Sequence, residues 1–512
     1  MLARVTRSVA AVGRRSYSAA AAAAGEAVRR APRVGGERGR DTLGRRLLKL
    51  IFPKRSAIVT LNKWTEEGKT LQKYQLNRIV RELRTHKRYK HALEICEWMT
   101  TQPDMKLLPG DYAVHLDLVG KVRGLTSAEK FFEDLPAEMI DRTTCTSLLH
   151  CYVQHNLITK AESLMKKMSE CGYLTHALPY NHMLTLYISN DQFEKVSPLV
   201  EQLKRNAFPD IVTYNILLSI CANRDDKDGA EKIMHELKSK NVTGDWITYS
   251  TLTSIYTSAG DIDKAKEALK DVEIRVSRKQ RVAYASLITL HANLNNKKGV
   301  LKTWDRMSSF FRKMNDAEYM SMISSLVKLG DIKEAGDIYS EWESVTGTKD
   351  PRLPNILLQA YTKEGSMDKA EKFHKETVEK GFVSTYVTWE TLALGYLSKQ
   401  RMDKALECLK KALSCLKQWN PNLQLVRDTF EGLEKIGDTK GAEEFLVMLR
   451  DAGHVTTEIY NSLLRVYKTA GKMPLIVAER MKKDRVEQDE ETHELLKATS
   501  RLCVDDVPSA LC

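Results

Sequence analysis

A tyrosine returns along the middle of this chain at Tyr180, Tyr214, Tyr249, Tyr284 and Tyr319, at intervals of 34, 35, 35 and 35 residues. Trp389 takes the same phase seventy residues later. The following residues also keep phase: Tyr180-Asn-His-Met-Leu, Tyr214-Asn-Ile-Leu-Leu, Tyr249-Ser-Thr-Leu-Thr, Tyr284-Ala-Ser-Leu-Ile and Tyr319-Met-Ser-Met-Ile. Sixteen positions after each tyrosine sits a small or short residue: Val196, Ala230, Ala265, Val300 and Ala335. A fixed period of this length is the mark of a solenoid, and it constrains the fold more than any single residue does.

The stretch from Ile211 to Asp245 shows what one period contains. Ile211 to Asn223 has apolar residues at helical spacing, and Arg224 to Asp228 is a polar break. In the second half, Ala230, Ile233, Met234 and Leu237 fall at i, i+3, i+4 and i+7 and form one apolar stripe on a helix. Asn241 to Asp245 closes the unit with turn-type residues. Such a hairpin cannot bury its apolar face alone, so neighbours must stack. Gly260, Gly330 and Gly365 fall between the two helices of their units, where a left-handed cap is expected. No alternating apolar and polar run is long enough to argue for strands. Extending the phase places unit starts near Lys73, Pro109, Arg142, Ala177, Ile211, Trp246, Arg281, Asp316, Pro351, Tyr386, Leu423 and Thr457, with a partial unit near Glu490. The register loosens around Trp419 to Asn422, and the outer units match less well, as caps do. The expected fold class is all-α: a right-handed α-α superhelix (solenoid) of about 12 helix-turn-helix repeats of ~35 residues over 73–500, followed by a tail at 501–512.

The formal net charge of +13 looks like a nucleic-acid footprint, but its location weakens that inference. Residues 1–55 carry 14 Lys/Arg against 3 Asp/Glu, a net of +11, and the remainder carries 66 against 64, a net of +2. Before Glu26 the chain has Arg4, Arg7, Arg14 and Arg15, many Ala and Ser, and no acid, which is the composition of an organelle transit peptide over 1–25. Arg15-Ser-Tyr17-Ser18 resembles a mitochondrial processing site, so cleavage after Tyr17 and residence in the mitochondrial matrix are expected, with chloroplast import as the alternative. Residues 26–72 read as a basic linker, disordered or weakly helical, unfolded from Glu26 to about Phe52. No run of 18 apolar residues exists, so no membrane span is expected. The nine cysteines are scattered without a CxxC, and several, such as Cys221, read as small buried hydrophobes.

Units of this length, opening Ile211-Val-Thr-Tyr-Asn215 after Pro209-Asp210, resemble the pentatricopeptide repeat. The resemblance covers about residues 73–500 and is most specific for the units at 177, 211 and 246. A long array with a mitochondrial address looks like the plant P-type class. The resemblance implies a protein that binds single-stranded organellar RNA, one base per unit, read by two or three side chains. It further implies that the fifth and last residues of a unit meet the base edge and that the second packs on base faces. Carried over, the base-reading pairs are Asn181 with Asp210, Asn215 with Asp245, Ser250 with Gln280, and Asn355 with Thr385. An Asn–Asp pair is associated in the family with uracil. The residues that would sandwich bases are Leu178, Val212, Ile247 and Val282. Several units depart from the pattern. Ala285 pairs with Asn315, Met320 with Asp350, Glu390 sets a carboxylate against anionic RNA, and Arg352 replaces an apolar wedge. Each position also has a purely structural reading. The tyrosines pack between helices, Asn181 and Asn215 are polar residues of a first helical turn, and Asp210 and Asp245 are N-caps. Replacing Asn215 and Asp245 together by Ala is expected to leave the fold intact.

No chemistry-bearing constellation appears. Gly68-Lys69-Thr70 lacks the glycine five residues upstream that a phosphate loop needs, since position 63 is Lys. His86 and His91, and His150 and His155, are five apart and do not share a helical face as metal ligands. The chain reads as a non-enzyme with no cofactor, no metal and no small-molecule substrate. The expected role is single-stranded RNA binding in mitochondrial processing, stability, splicing or translation. The alternative is a non-catalytic scaffold, associated with the mitochondrial ribosome or with RNA-processing proteins.

Overall fold

The computed structural model describes residues 42–50, 56–415, 422–474 and 476–500, and the backbone of Cys503–Val504. The segment expected to be a transit peptide, its expected cleavage site and the end of the tail lie outside the described residues. The chain divides into two compact bodies, one ending at Arg275 and the other beginning at Val276.

In the first body the helices Leu43–Leu48 and Ala57–Glu66 precede six hairpins, whose first helices begin at Lys73, Pro109, Arg142, Ala177, Ile211 and Trp246. In the second body the first helices begin at Arg281, Asp316, Arg352, Tyr386, Leu423 and Thr457, and a last helix spans Glu490–Thr499. The fold of each body is the all-α array of helical hairpins that the period implies. One feature lies outside it: Lys472–Met473 pairs in parallel with Cys503–Val504 as a two-residue ladder. No helix among the described residues is long and apolar enough to cross a membrane.

The periodic residues explain the stacking. Tyr180, Tyr214, Tyr284 and Tyr319 are almost wholly buried, and Ala230, Ala265, Val300 and Ala335 are completely so. The aromatic ring fills the space within a hairpin, and the small residue lets the paired helix come close. The fifteenth residue of a unit reverses the chain between helices. Gly260 and Gly330 adopt φ of 76° and 84° there, while Asn156, Asp225 and Asn295 take the same left-handed conformation at 52° to 60°. Gly330 donates its N–H to Val327 O and Asp331 donates to Leu326 O, which closes the helix end.

The stretch expected to be unfolded up to about Phe52 contains the short helix Leu43–Leu48, started by Thr42 as its N-cap. Leu43, Leu47 and Leu50 fall on one face and join the core of the first body, so a basic composition conceals a small apolar stripe. At the other end, Arg480 forms a two-pronged pair with Glu443, Nη1 to Oε1 at 2.9 Å and Nη2 to Oε2 at 2.6 Å, and the Tyr467 hydroxyl donates to Glu443 Oε1 at 3.0 Å. All three residues are buried. Removing one partner of such a pair leaves an uncompensated charge inside the protein. Arg480→Met should therefore destabilise the second body by about 3–5 kcal/mol in urea titrations, and the double variant Glu443→Leu/Arg480→Met should recover most of that loss.

Burial pushes the His182 imidazole down to about 3, with the neighbouring His150 adding to the shift. Burial, helped by the Arg123 charge, pushes His115 down to about 4. Both rings are neutral in the folded chain at mild acidity, whereas an unfolded histidine titrates near 6.5. Below that value the unfolded chain takes up protons that the folded chain refuses, so stability falls as pH drops from about 6.5 toward 4. Thermal melts should show a lower midpoint at pH 5 than at pH 7, with a smaller difference in His182→Gln.

Candidate functional site

The first helices share a polar device at their N-termini. Asp210 N-caps the helix Ile211–Asn223, its Oδ1 accepting from Thr213 N at 2.9 Å, while Asp210 N donates back to Thr213 Oγ1. Asp245 does the same for the helix Trp246–Ser258, with Oδ1 accepting from Ile247 N and Thr248 N at 3.0 Å each. This satisfies backbone N–H groups that a helix start otherwise leaves without partners.

Into each cap reaches the fifth residue of the preceding unit. Asn181 Nδ2 donates to Asp210 Oδ1 at 3.0 Å, and Thr213 Oγ1 donates to Asn181 Oδ1 at 2.7 Å. Asn215 Nδ2 donates to Asp245 Oδ1 at 3.1 Å, and Thr248 Oγ1 donates to Asn215 Oδ1 at 2.7 Å. Asn355 Nδ2 meets Thr385 Oγ1 at 3.3 Å, and Thr388 Oγ1 donates to Asn355 Oδ1 at 2.9 Å. Three of the four expected pairs are thus brought into direct contact. Ser250 and Gln280 belong to different bodies. Within its own, the Ser250 hydroxyl is buried without a hydrogen-bond partner, and Gln280 is exposed and accepts from Ser277 N at 3.1 Å.

One cluster of the same make was not among the expected site residues. Asn461 Nδ2 donates to Asp489 Oδ1 at 3.0 Å, and Thr492 Oγ1 donates to Asn461 Oδ1 at 2.7 Å. The signal for it was present in Tyr460-Asn-Ser-Leu-Leu464, which repeats the Tyr214 opening. It was obscured because the carboxylate follows after 28 residues instead of 29 or 30. Near the N-terminus Asn77 Nδ2 donates to Asp111 Oδ1 at 2.8 Å, a different arrangement in which the carboxylate stands at the third place of the helix and Leu108 at the cap.

Asn181 and Asn215 are 4% and 3% exposed. They are core residues tying one hairpin to the next, so the expectation that Asn215 and Asp245 could be removed without cost to the fold does not hold. In Asp210 and Asp245 the bonds described fall on Oδ1, and Oδ2 takes no part in them. One oxygen serves the fold and the other remains an acceptor. Of the four second-position residues, Leu178, Val212 and Ile247 are half-buried and Val282 is 53% exposed. Glu390 does not stand open to a ligand: it is buried, and Tyr386 donates its hydroxyl to Oε1 at 3.2 Å. The Arg352 guanidinium lies against Asp350, Nε to Oδ1 at 2.9 Å, and holds that carboxyl below its usual range. Where the fifth residue is Ala285, the next unit carries Glu318 in place of the clamping threonine, and Arg281 Nη1 reaches both its oxygens at 2.9 Å.

Hairpins of near-constant length, several of them joined through a polar clamp at the helix start, define an all-α tandem-repeat protein with a recurring set of amide and carboxylate groups. Models of the pentatricopeptide repeat match residues 143–173, 247–274, 319–344 and 354–382, with the PPR repeat family matching 209–257 and the pentatricopeptide repeat domain 163–224. A mitochondrial pentatricopeptide repeat-containing protein of Arabidopsis thaliana is 52% identical over 527 residues, covering 100% of this chain and 99% of the relative. A second from the same plant, also named mitochondrial, is 32% identical over 467 residues, covering 90% of this chain and 95% of the relative. The chain belongs to the pentatricopeptide repeat family. Among solved structures, the pentatricopeptide repeat protein PPR10 in complex with an 18-nucleotide psaJ RNA element matches with a TM-score of 0.51 at 16% identity, over 87% of this chain and 68% of that one.

Asp245→Ala removes an N-cap and leaves the buried Asn215 amide without its carboxylate. It should destabilise the first body by about 1–3 kcal/mol in chemical denaturation. Asp245→Asn should lose less than the alanine, because its amide oxygen still caps the helix.

Proposed function

We propose that this protein binds single-stranded RNA and acts in mitochondrial post-transcriptional RNA metabolism. The observation that carries the reading is the clamp row: at Asn181, Asn215, Asn355 and Asn461 the same amide recurs at the same place in its hairpin, held against a cap residue of the next. Unpaired bases expose hydrogen-bonding edges that such groups can meet one at a time. Asn181 with Asp210 and Asn215 with Asp245 are adjacent units of like composition, and we assign them to adjacent, like bases. Asn461 with Asp489 joins them as a third pair of that kind, and Asn355 with Thr385 is a neutral variant. Leu178, Val212, Ile247 and Val282 are assigned to the faces of the bases. The psaJ RNA element in complex with PPR10 and the mitochondrial names of the Arabidopsis relatives support the same direction. The basic, acid-free N-terminus supports import into the mitochondrion.

A scaffold role has one observation in its favour: the chain beyond residue 55 is nearly neutral, with 66 Lys/Arg against 64 Asp/Glu. Selection from a random single-stranded RNA pool with the purified full chain separates the two. RNA binding predicts affinity tighter than about micromolar, a reproducible sequence preference, and weakening as salt rises. Retention of no RNA above background, together with salt-resistant recovery of the chain on RNase-treated mitochondrial ribosomes, would overturn RNA binding in favour of the scaffold.

A further inference from the structure

We infer that the threonine at the third place of the following repeat, Thr213, Thr248 and Thr492, acting with the cap carboxylate beside it, is a specificity-determining positioning residue that holds the amide of Asn181, Asn215 and Asn461 one way round. The inference rests on the RNA-binding reading above.

The amide orientation follows from what each neighbour can do. A carboxylate can only accept. The amide atom facing Asp210 Oδ1 at 3.0 Å is therefore the nitrogen, and the oxygen faces Thr213 Oγ1 at 2.7 Å. The hydroxyl has one proton, and Asn181 Oδ1 is the acceptor that needs it. Asp210 Oδ1, also 2.9 Å from that hydroxyl, takes its protons from the Asn181 amide and the Thr213 backbone. Turning the amide over would set oxygen against oxygen at the carboxylate, beside an amide that is itself buried. The same distances recur at Asn215 with Thr248 and at Asn461 with Thr492.

Asn355 differs. Its neighbours Thr385 and Thr388 are both hydroxyls, 3.1 Å apart, and each can donate or accept. A ring of three such groups closes in either sense, so the amide can sit either way. Asn181, Asn215, Asn355 and Asn461 are each followed by a third-place threonine, whereas Asn77 is followed by Asp111 and Thr144 stands at the third place after Ala113. After Ala285, Met320 and Glu390 the third place is Glu318, Leu353 and Leu425. An amide held one way offers a base edge one polarity. An amide free to turn offers either a donor or an acceptor and discriminates less.

Base preference at each position of the selected RNA, measured with the full chain, tests this. Thr213→Val should lower discrimination at one nucleotide by about fivefold, the effect of one lost hydrogen bond, with the other positions unchanged. Thr213→Ser, which keeps the hydroxyl, should restore it. Thr385→Asp, which supplies a carboxylate beside Asn355, should sharpen preference at a different nucleotide. Folding of each variant is checked by its melting transition. Unchanged discrimination in Thr213→Val and Thr385→Asp, or an equal loss at every position, would overturn the positioning role while leaving RNA binding in place. Failure of the unsubstituted chain to bind RNA would remove both.

Discussion

The structure depends on a constraint that acts between neighbours: two short helices cannot cover each other's apolar faces, so each hairpin is stable only against the next. Burial of Tyr180, Tyr214, Tyr284 and Tyr319 supplies the undirected part of that contact. The asparagine clamps supply the directed part. An apolar surface tolerates small slips of one hairpin over another, but an amide held between a carboxylate and a hydroxyl within about 3 Å does not. The register of a stack is therefore set by polar residues at the helix starts, and its stability mostly by apolar ones.

That division explains what could be read from the residues alone. The period placed the first helices because aromatic and small residues recur on it, and Ile211–Asn223 and Trp246–Ser258 begin where Asp210 and Asp245 cap them. Asn181 with Asp210 and Asn215 with Asp245 were legible as pairs through the family resemblance. Their burial was not, because a polar residue in a first turn looks the same whether it faces water or the next hairpin. The threonine partners went unnoticed because a third-place Thr is also an ordinary capping residue. Asn461 was missed through a change of one or two residues in spacing, and the helix Leu43–Leu48 through a composition dominated by arginine and glycine. Local chemistry is printed in the sequence, but contacts between units depend on both units at once.

The caps are also economical in their use of atoms. Asp210 Oδ1 accepts from a backbone N–H of its own helix and from the amide of the preceding unit, so one oxygen ends one hairpin's disorder and fixes the next one's position. A substitution there acts on helix start, stacking and surface chemistry together. The departures follow the same rule. Glu318 with Arg281 replaces an amide clamp between two units by an ion pair, while Asp350 with Arg352 pairs locally at a single helix start.

The clamps join residues only 31 to 33 positions apart. The separations are alike from clamp to clamp, so loop closure imposes a similar entropic barrier at each of these junctions. Assembly can start at whichever pair of hairpins meets first and then spread outward, like a zipper with many possible starting teeth. A segment emerging from a narrow channel could begin to organise once two periods had cleared it.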